Sequence, residues 1–236
     1  MPVEAGESTF YDLTDGGDRR DHAAEAEAVS RVVQARRPGA TALLDVACGA
    51  GEYLRHLIPH FALVEGVATG PATAEAARRA LPDTTVHEGT LPQLDLGRTY
   101  DVVACLHDES ARFTLAGYRT LLRALARHLT PGGLLIVAPF WMPDTVIRRT
   151  ATEALVHDDG RTVSRIERGR PRDGAHHIER HVLVADGDSV RHLADTRLLH
   201  SFARQEHLTA FAAAGCGGEL LPTGLAGRPL LVGVRR

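Results

Sequence analysis

The chain has 236 residues, 44% of them apolar and 24% charged, and a formal net charge of −3. These values suit one folded domain with an insertion and exclude a largely disordered protein. All 27 basic residues are arginine, which excludes chemistry based on a Schiff-base or phosphate-binding lysine. Without net positive charge or a basic run, the sequence predicts no nucleic-acid partner.

The cysteines and the hydropathy pattern indicate a cytoplasmic protein. Cys48, Cys105 and Cys216 are widely spaced and odd in number, which argues against a disulfide framework. No apolar run approaches the ~20 residues needed to span a bilayer, and the first residues lack the pattern of a signal peptide. We therefore expect no membrane partner.

Helices and buried strands alternate over the first 140 residues. The apolar runs predict strands at 41–46, 61–67, 84–89, 100–106 and 134–140. The segments between and before them predict helices at 21–37, 52–60, 72–81 and 114–129. This order is typical of an α/β fold with a doubly wound, mostly parallel sheet that carries helices on both faces.

After Trp141 the pattern changes to strand-like alternation with turn signals at 159–160, 173–174 and 186–188. We expect an antiparallel β meander inserted into the α/β core, followed by a helix at 206–215 and a final strand pair. The predicted division is 1–145 for the first part of the core, 146–202 for the insertion and 203–236 for the return to the core. The insertion is a candidate substrate surface and a candidate homodimer surface.

The first strand ends in Asp45 and continues into a glycine turn. Gly49 and Gly51 let the backbone approach a ligand closely, and the next helix directs free N–H groups towards it. A dinucleotide site would have a small residue at the position of Leu54 and an acidic residue within 68–70, and the chain has neither. The sequence therefore argues against a nicotinamide or flavin site.

Two motifs of the class I methyltransferases, which bind S-adenosylmethionine (SAM), are similar to LLDVACGAGEYL and HLTPGGLLIVAPF. Further segments occur in the same order as in one subfamily, namely FYDL, LGRTYDVV, PFWMPD, HHIERHVLVAD and GLAGRPLLVGV. That subfamily dimethylates TDP-linked amino-deoxysugars for macrolide antibiotics. The resemblance covers nearly the whole chain and implies a SAM-dependent methyltransferase whose small-molecule substrate is a nucleotide-linked amino sugar.

The resemblance also implies site residues. The strand-end carboxylate of Asp45 would accept a hydrogen bond from the methionine ammonium of SAM. The implied cofactor residues are Tyr11, Asp45, Ala47, Cys48, Gly49, Gly51, Ala68, Thr90, Leu91, Leu106 and His107. The implied substrate residues are Arg112, Trp141, Glu179, His181 and Arg228. Among these, Trp141 would line the sugar pocket and Arg228 would contact the diphosphate; an exposed hairpin arginine is the alternative for Arg228.

Three positions depart from the family pattern. Ala68 stands where an acidic residue grips the ribose hydroxyls, and Glu65 cannot replace it because it projects to the opposite face of the strand. Thr90 stands where an aspartate meets adenine, and Arg112 takes the place of a histidine. A second hypothesis therefore stays open, in which the chain has lost methyl transfer and serves as a cyclase, another catalyst or an auxiliary partner.

His107 and Glu109 are the candidate catalytic residues. His107 could titrate near neutrality and deprotonate the acceptor. In the alternative, Asp108 and Glu109 cap the next helix and His107 packs under adenine. His177, Glu179 and His181 share one face of a strand, as metal ligands would, but related sequences have the last two without a metal. The sequence therefore predicts no metal.

Overall fold

The computed structural model describes residues 20–139, 152–158, 161–172 and 175–236, so Tyr11 and Trp141 lie outside the described residues. The helices are α1 (His22–Arg36), α2 (Leu54–Leu57), α3 (Pro71–Ala80), α4 (Leu115–Arg127) and α5 (Arg204–Ala213). The strands of the larger sheet are β1 (Ala42–Val46), β2 (Leu63–Ala68), β3 (Val86–Glu88), β4 (Tyr100–Cys105), β5 (Leu129–Val137), β10 (Cys216–Leu225) and β11 (Arg228–Arg235). Those of the smaller sheet are β6 (Thr152–Asp158), β7 (Arg161–Arg172), β8 (Ala175–Asp186) and β9 (Ser189–His200).

The larger sheet has seven strands in the order β10-β11-β5-β4-β1-β2-β3. Strands β1 to β5 are parallel, and β11 pairs antiparallel with both β5 and β10. This confirms the predicted doubly wound sheet. The strand order reverses between β1 and β4, and ligands of such sheets bind at the carboxyl ends of the strands at that point.

Alternate residues of the central strands face two apolar cores. Leu43 and Val102 belong to the core that includes residues of α1, α2 and α3, whereas Leu44 and Val103 belong to the core beneath α4 and α5. Helix α1 begins where the Asp21 carboxylate accepts a hydrogen bond from the Ala24 amide at 2.9 Å. The helices thus cover both faces of the sheet, as the sequence predicts.

The predicted boundary between the fourth helix and the fifth strand is wrong. The helix predicted to run to residue 129 ends at Arg127, and β5 begins at Leu129 rather than at 134. The His128 ring closes the helix, because its Nδ1 lies 2.8 Å from the Ala124 carbonyl and its Nε2 accepts a hydrogen bond from the Leu96 amide. The Pro-Gly-Gly segment at 131–133 therefore lies within β5, at an irregularity in its pairing with β4.

The smaller sheet is antiparallel, in the order β6-β7-β8-β9. Its inner face carries Ile178 and Leu199, which pack against Ala111 in a short 3-10 helix, Asp108–Arg112, that follows β4. The inner face therefore adjoins the loop at the carboxyl end of β4. The predicted domain boundaries stay predictions, because residues 140–151 are outside the described ranges. Across those ranges, no helix has the length and apolar character needed to cross a membrane.

Candidate active site

Asp45, at the carboxyl end of β1, is fully buried, and neither of its carboxylate oxygens has a hydrogen-bond partner. Burial raises its pKa well above the usual value, and the nearby charge of Glu52 raises it further. Burying an unpartnered carboxylate costs folding free energy. Such a group is typical of a ligand site, and an ammonium group is its best partner because it supplies both charge and hydrogen-bond donors.

The turn after Asp45 has the tight backbone that the glycines predict. Gly49 and Gly51 have φ angles of +61° and +97°, and Ala47 has the same left-handed conformation with φ +61°. A Cβ atom on Gly49 would lie 2.8 Å from Glu52 Oε2 and 3.4 Å from His107 Nε2. The glycine therefore leaves room for these two side chains, which lie over the turn.

Glu52 and His107 contact each other over the turn, with 3.7 Å between Oε2 and Nε2, and both side chains are largely buried. The Tyr53 ring packs edge-on against the rings of His107 and His22, with centroids 4.9 and 4.8 Å away. Burial, followed by the positive charge of Arg20, lowers the pKa of His107 to about 3. The prediction that His107 titrates near neutrality is therefore wrong, because its ring is enclosed rather than solvated.

Two arginines join distant parts of the chain beside this turn. Arg20 donates two hydrogen bonds to the Asp108 carboxylate, at 2.7 and 2.8 Å. Arg228 donates to Glu25 Oε1 at 2.8 Å, and the Tyr53 hydroxyl donates to the other oxygen of Glu25. These contacts hold the start of α1, the loop after β4 and the β10–β11 hairpin together.

The same contacts decide two alternatives left open by the sequence. Asp108 and Glu109 do not cap the next helix, because the Thr114 hydroxyl caps α4 and Asp108 binds Arg20. Arg228 is not simply an exposed hairpin arginine, since its partner Glu25 is almost completely buried. Glu109 forms a local pair with Arg112 at 3.3 Å, and the Arg112 side chain is half exposed. Glu52 and Tyr53 lie in the LLDVACGAGEYL motif without an implied role there, and Arg20 and Glu25 lie outside the motifs. The contacts of these residues depend on packing between distant segments.

The expected ribose and adenine positions differ in burial. Ala68 ends β2 and is fully buried, so the chain has no carboxylate there. Glu65 faces the other side of the sheet, as predicted, where it accepts hydrogen bonds from Arg98 and Tyr100 at 2.7 Å each. Thr90 and Leu91 lie in the loop that follows β3, with Thr90 exposed. Leu106, which follows β4, and Cys48 in the turn are fully buried.

Glu179 and His181 lie apart from this cluster. Side chains alternate along β8, so both project from the face opposite to Ile178 and point away from the loop at Ala111. His181 lies between Glu179 at 3.2 Å and His192 at 3.0 Å. Their predicted substrate contact therefore has no support from the described contacts of this chain. Among the described residues, no three His, Cys, Asp or Glu side chains are arranged to hold a metal.

Known proteins with similar sequences are methyltransferases, a class whose fold has both the glycine turn and the seven-stranded sheet. A family model described as a methyltransferase domain matches residues 43–133. A dTDP-3-amino-3,4,6-trideoxy-alpha-D-glucopyranose N,N-dimethyltransferase from Streptomyces venezuelae is 37% identical over 98% of both chains. The chain belongs to the family of SAM-dependent sugar N-methyltransferases. The resemblance expected from the sequence motifs is thus confirmed.

Solved structures of related enzymes have the same fold as this methyltransferase. A sugar N-methyltransferase from Streptoalloteichus superposes with a TM-score of 0.88 at 44% identity and covers 96% of this chain and 92% of its own. A SAM-bound amino pentose methyltransferase of calicheamicin biosynthesis, from Micromonospora echinaspora, gives 0.84 at 36% identity, with coverages of 96% and 97%. Both alignments include the four-stranded sheet, since they span almost the entire chain.

The residues present fit SAM at its methionine end. The unpartnered carboxylate of Asp45 matches an ammonium donor, and the left-handed backbone at Gly49 and Gly51 forms the tight turn that directly follows it. At the ribose end, the buried Ala68 supplies no hydrogen-bond acceptor. This methyltransferase must therefore obtain part of its cofactor affinity from groups other than a ribose-binding carboxylate.

Proposed function

We propose that this enzyme transfers methyl groups from SAM to the amino nitrogen of a dTDP-linked amino-deoxysugar and forms an N,N-dimethyl product. The observation that carries the proposal is full-length similarity to an N,N-dimethyltransferase of a dTDP-amino sugar, at 37% identity over 98% of both chains. The fully buried, unpartnered carboxylate of Asp45 supports it, since it is retained where the cofactor ammonium would bind.

In this proposal, the chain binds and orients the reactants, and SAM supplies a methyl group on a positively charged sulfur that is already electrophilic. Asp45 accepts a hydrogen bond from the methionine ammonium, and the turn at Gly49 and Gly51 lets the backbone approach the cofactor. Leu106 and Cys48, both fully buried, exclude water from this end of the site. Correct placement of two reactants can supply much of the rate enhancement of such a transfer.

The acceptor amine needs a free electron pair, so the substrate nitrogen must be unprotonated and the monomethylated nitrogen must lose a proton before the second transfer. His107 is a poor acceptor for this proton, because its pKa of about 3 makes it a weak base. Glu109 lies on the same loop, and its carboxylate is a basic group there that is not a neutral ring, with 20% of its side chain exposed. We therefore assign proton removal to water or Glu109 and assign His107 to packing against the cofactor site.

Arg228 is the candidate contact for the diphosphate. It begins β11, which runs antiparallel to β5, so it lies near the carboxyl-terminal edge of the sheet where the glycine turn is found. An arginine fork suits a diphosphate because it makes paired, charge-assisted hydrogen bonds. Its existing partner, Glu25, holds the guanidinium 2.8 Å away in a fixed direction.

The test is incubation of the enzyme with SAM and dTDP-3-amino-3,4,6-trideoxyglucose, followed by mass spectrometry. The expected products carry one and then two added methyl groups, and the Asp45→Asn variant should form them much more slowly. Binding of SAM without methylation of any amino sugar would overturn the proposal. It would favour the second candidate function, a methyltransferase fold without methyl transfer. The observation that favours this alternative is the presence of Ala68 and Thr90 at positions where the family has acidic residues.

The proposal includes a homodimer formed by the outer face of the four-stranded sheet. The strand register puts five exposed apolar side chains on this one face: Leu155, Ile166, Leu183, Val190 and Leu198. Four strands of 7 to 12 residues cover roughly 700 Å² at ordinary strand spacing and rise, close to the ~800 Å² that each partner of a stable complex buries. Sedimentation should give a dimer, and Leu183→Glu should give a monomer. A monomeric wild type would exclude this arrangement.

A further inference from the structure

We infer that Glu52 is a second carboxylate of the cofactor site and that it makes the site select positively charged SAM over the neutral product, S-adenosylhomocysteine (SAH). The inference rests on the proposed cofactor site at the glycine turn and deepens it. It assigns a selectivity between substrate and product forms of the cofactor to a residue for which the sequence motif implied no role.

The first support is the place of the Glu52 carboxylate. Its Oε2 lies 2.8 Å from the position of a Cβ on Gly49, so the carboxylate folds back over the turn instead of extending into solvent. The contact with His107 Nε2, at 3.7 Å, closes this arrangement from the side of β4. Only 15% of the Glu52 side chain and 17% of the His107 side chain is exposed, so water screens the charge of Glu52 weakly.

The second support is the interaction between the two carboxylates. The charge of Glu52 is close enough to Asp45 to raise the pKa of that carboxyl beyond the effect of burial, and it also raises the pKa of the Cys48 thiol. Both oxygens of Asp45 are buried without a hydrogen-bond partner. The turn therefore concentrates negative charge at a place where the described residues provide Asp45 with no cation.

The chemistry of the ligands turns this charge into selectivity. SAM carries an ammonium, a carboxylate and a sulfonium, so its net charge is +1, whereas SAH lacks the sulfonium and is neutral overall. Sinefungin carries an amine in place of the transferable methyl and sulfur and is again +1. One carboxylate balances the ammonium that all three share, and a second carboxylate favours the ligands with the additional positive charge.

The third support is the lack of a ribose carboxylate. Ala68 is fully buried at the end of β2, so this position supplies no charged contact to the ribose hydroxyls. The Glu52 carboxylate, by attracting the sulfonium, replaces part of this missing affinity for SAM. It does not do so for SAH, which has no sulfonium. The product, which lacks this charge, would then leave more readily.

The test is calorimetric titration of SAM, SAH and sinefungin into the wild type and Glu52→Gln, with Glu75→Gln as the matched control. Glu75 is an exposed glutamate on α3 that pairs with Arg79. We expect Glu52→Gln to weaken SAM and sinefungin binding by about tenfold or more, as the loss of a nearby charge in a weakly screened site predicts, while SAH affinity changes less than about threefold. The control should leave all three affinities unchanged.

An equal loss for all three ligands, or no loss, would overturn the inference. Thermal melting reports whether the Gln variant folds. If it does not, Glu52→Asp replaces it, since a shorter side chain withdraws the carboxylate and should reduce the preference for SAM over SAH partway. A wild type that binds none of the three ligands would refute the proposed function as well. Binding of all three, with a selectivity that does not depend on Glu52, would refute only the inference.

Discussion

We predict that replacing Asp45 raises the stability of the protein and weakens its binding of the cofactor. Its carboxylate is fully buried without a hydrogen-bond partner, so Asp45→Asn removes an uncompensated charge and changes little else. Both residues leave a buried polar group unsatisfied, but an unpaired charge costs more than an unpaired amide, by about 1–3 kcal/mol. At about 2–4 °C per kcal/mol for a chain of this size, Asp45→Asn should melt roughly 2–12 °C above the wild type near neutral pH. Its SAM affinity should fall at least tenfold, as expected for the loss of a charge-assisted hydrogen bond worth about 1.5–3 kcal/mol.

The stability difference between Asp45→Asn and the wild type should grow with pH. The pKa of Asp45 is raised in the folded state, so the folded protein holds this proton more tightly than the unfolded chain. The penalty is absent below the unfolded pKa of about 3.9 and grows as pH rises towards the folded value. Melting curves of both proteins between pH 4 and 8, with SAM titrations at pH 8, provide the measurement. A variant less stable than the wild type at pH 8, or one with unchanged SAM affinity, would refute the reasoning.

Three further predictions concern other parts of the molecule. Asp101→Asn should lower the free energy of unfolding by about 2 kcal/mol at pH 7. Burial raises the pKa of the Asp101 carboxyl, but hydrogen bonds from the Thr41 amide and Arg37 lower it more, to about 2. This stabilisation is present above the unfolded pKa and is lost as pH falls through about 2, so a difference that persists in urea denaturation at pH 2 would count against it. Ala68→Glu should tighten SAM binding about tenfold in calorimetry by adding an acceptor for the ribose hydroxyls, and a lower melting temperature without tighter binding would show that ribose does not lie there. Arg228→Ala should raise the KM for the dTDP-sugar severalfold and also lower the melting temperature, because it leaves the buried Glu25 without its cation; an unchanged KM would exclude the diphosphate contact.

The fold could be predicted from the sequence because each of its signals is local. Continuous apolar runs mark the central strands, and the glycines after Asp45 mark the turn whatever the rest of the chain does. The boundary at 127–129 was missed because the His128 ring bonds to Leu96, a residue 32 positions away. Local propensity gave no signal for that contact.

The candidate site could be predicted only in part, for the same reason. Asp45 and the glycines follow each other in the chain, so their motif is visible. Arg20 meets Asp108 across 88 positions and Arg228 meets Glu25 across 203, and no spacing rule links such pairs. Glu179 and His181 were assigned to the substrate by family resemblance, and strand alternation alone does not indicate which face of β8 adjoins the loop at Ala111. Their contact with the substrate stays a prediction.

The position of β11 has a consequence for the order of folding. This strand lies between β5 and β10, so the hairpin joins the sheet through its second strand, after the chain has passed through the four-stranded sheet and α5. Pairings between segments distant in sequence form slowly, because the entropy of closing the intervening loop must be overcome first. The parallel half, whose neighbouring strands lie closer in sequence, should therefore form before β11 docks on β5. Because Arg228 begins β11, its bridge to Glu25 beside the glycine turn then forms in the last stage, and SAM binding during refolding should lag behind the recovery of secondary structure.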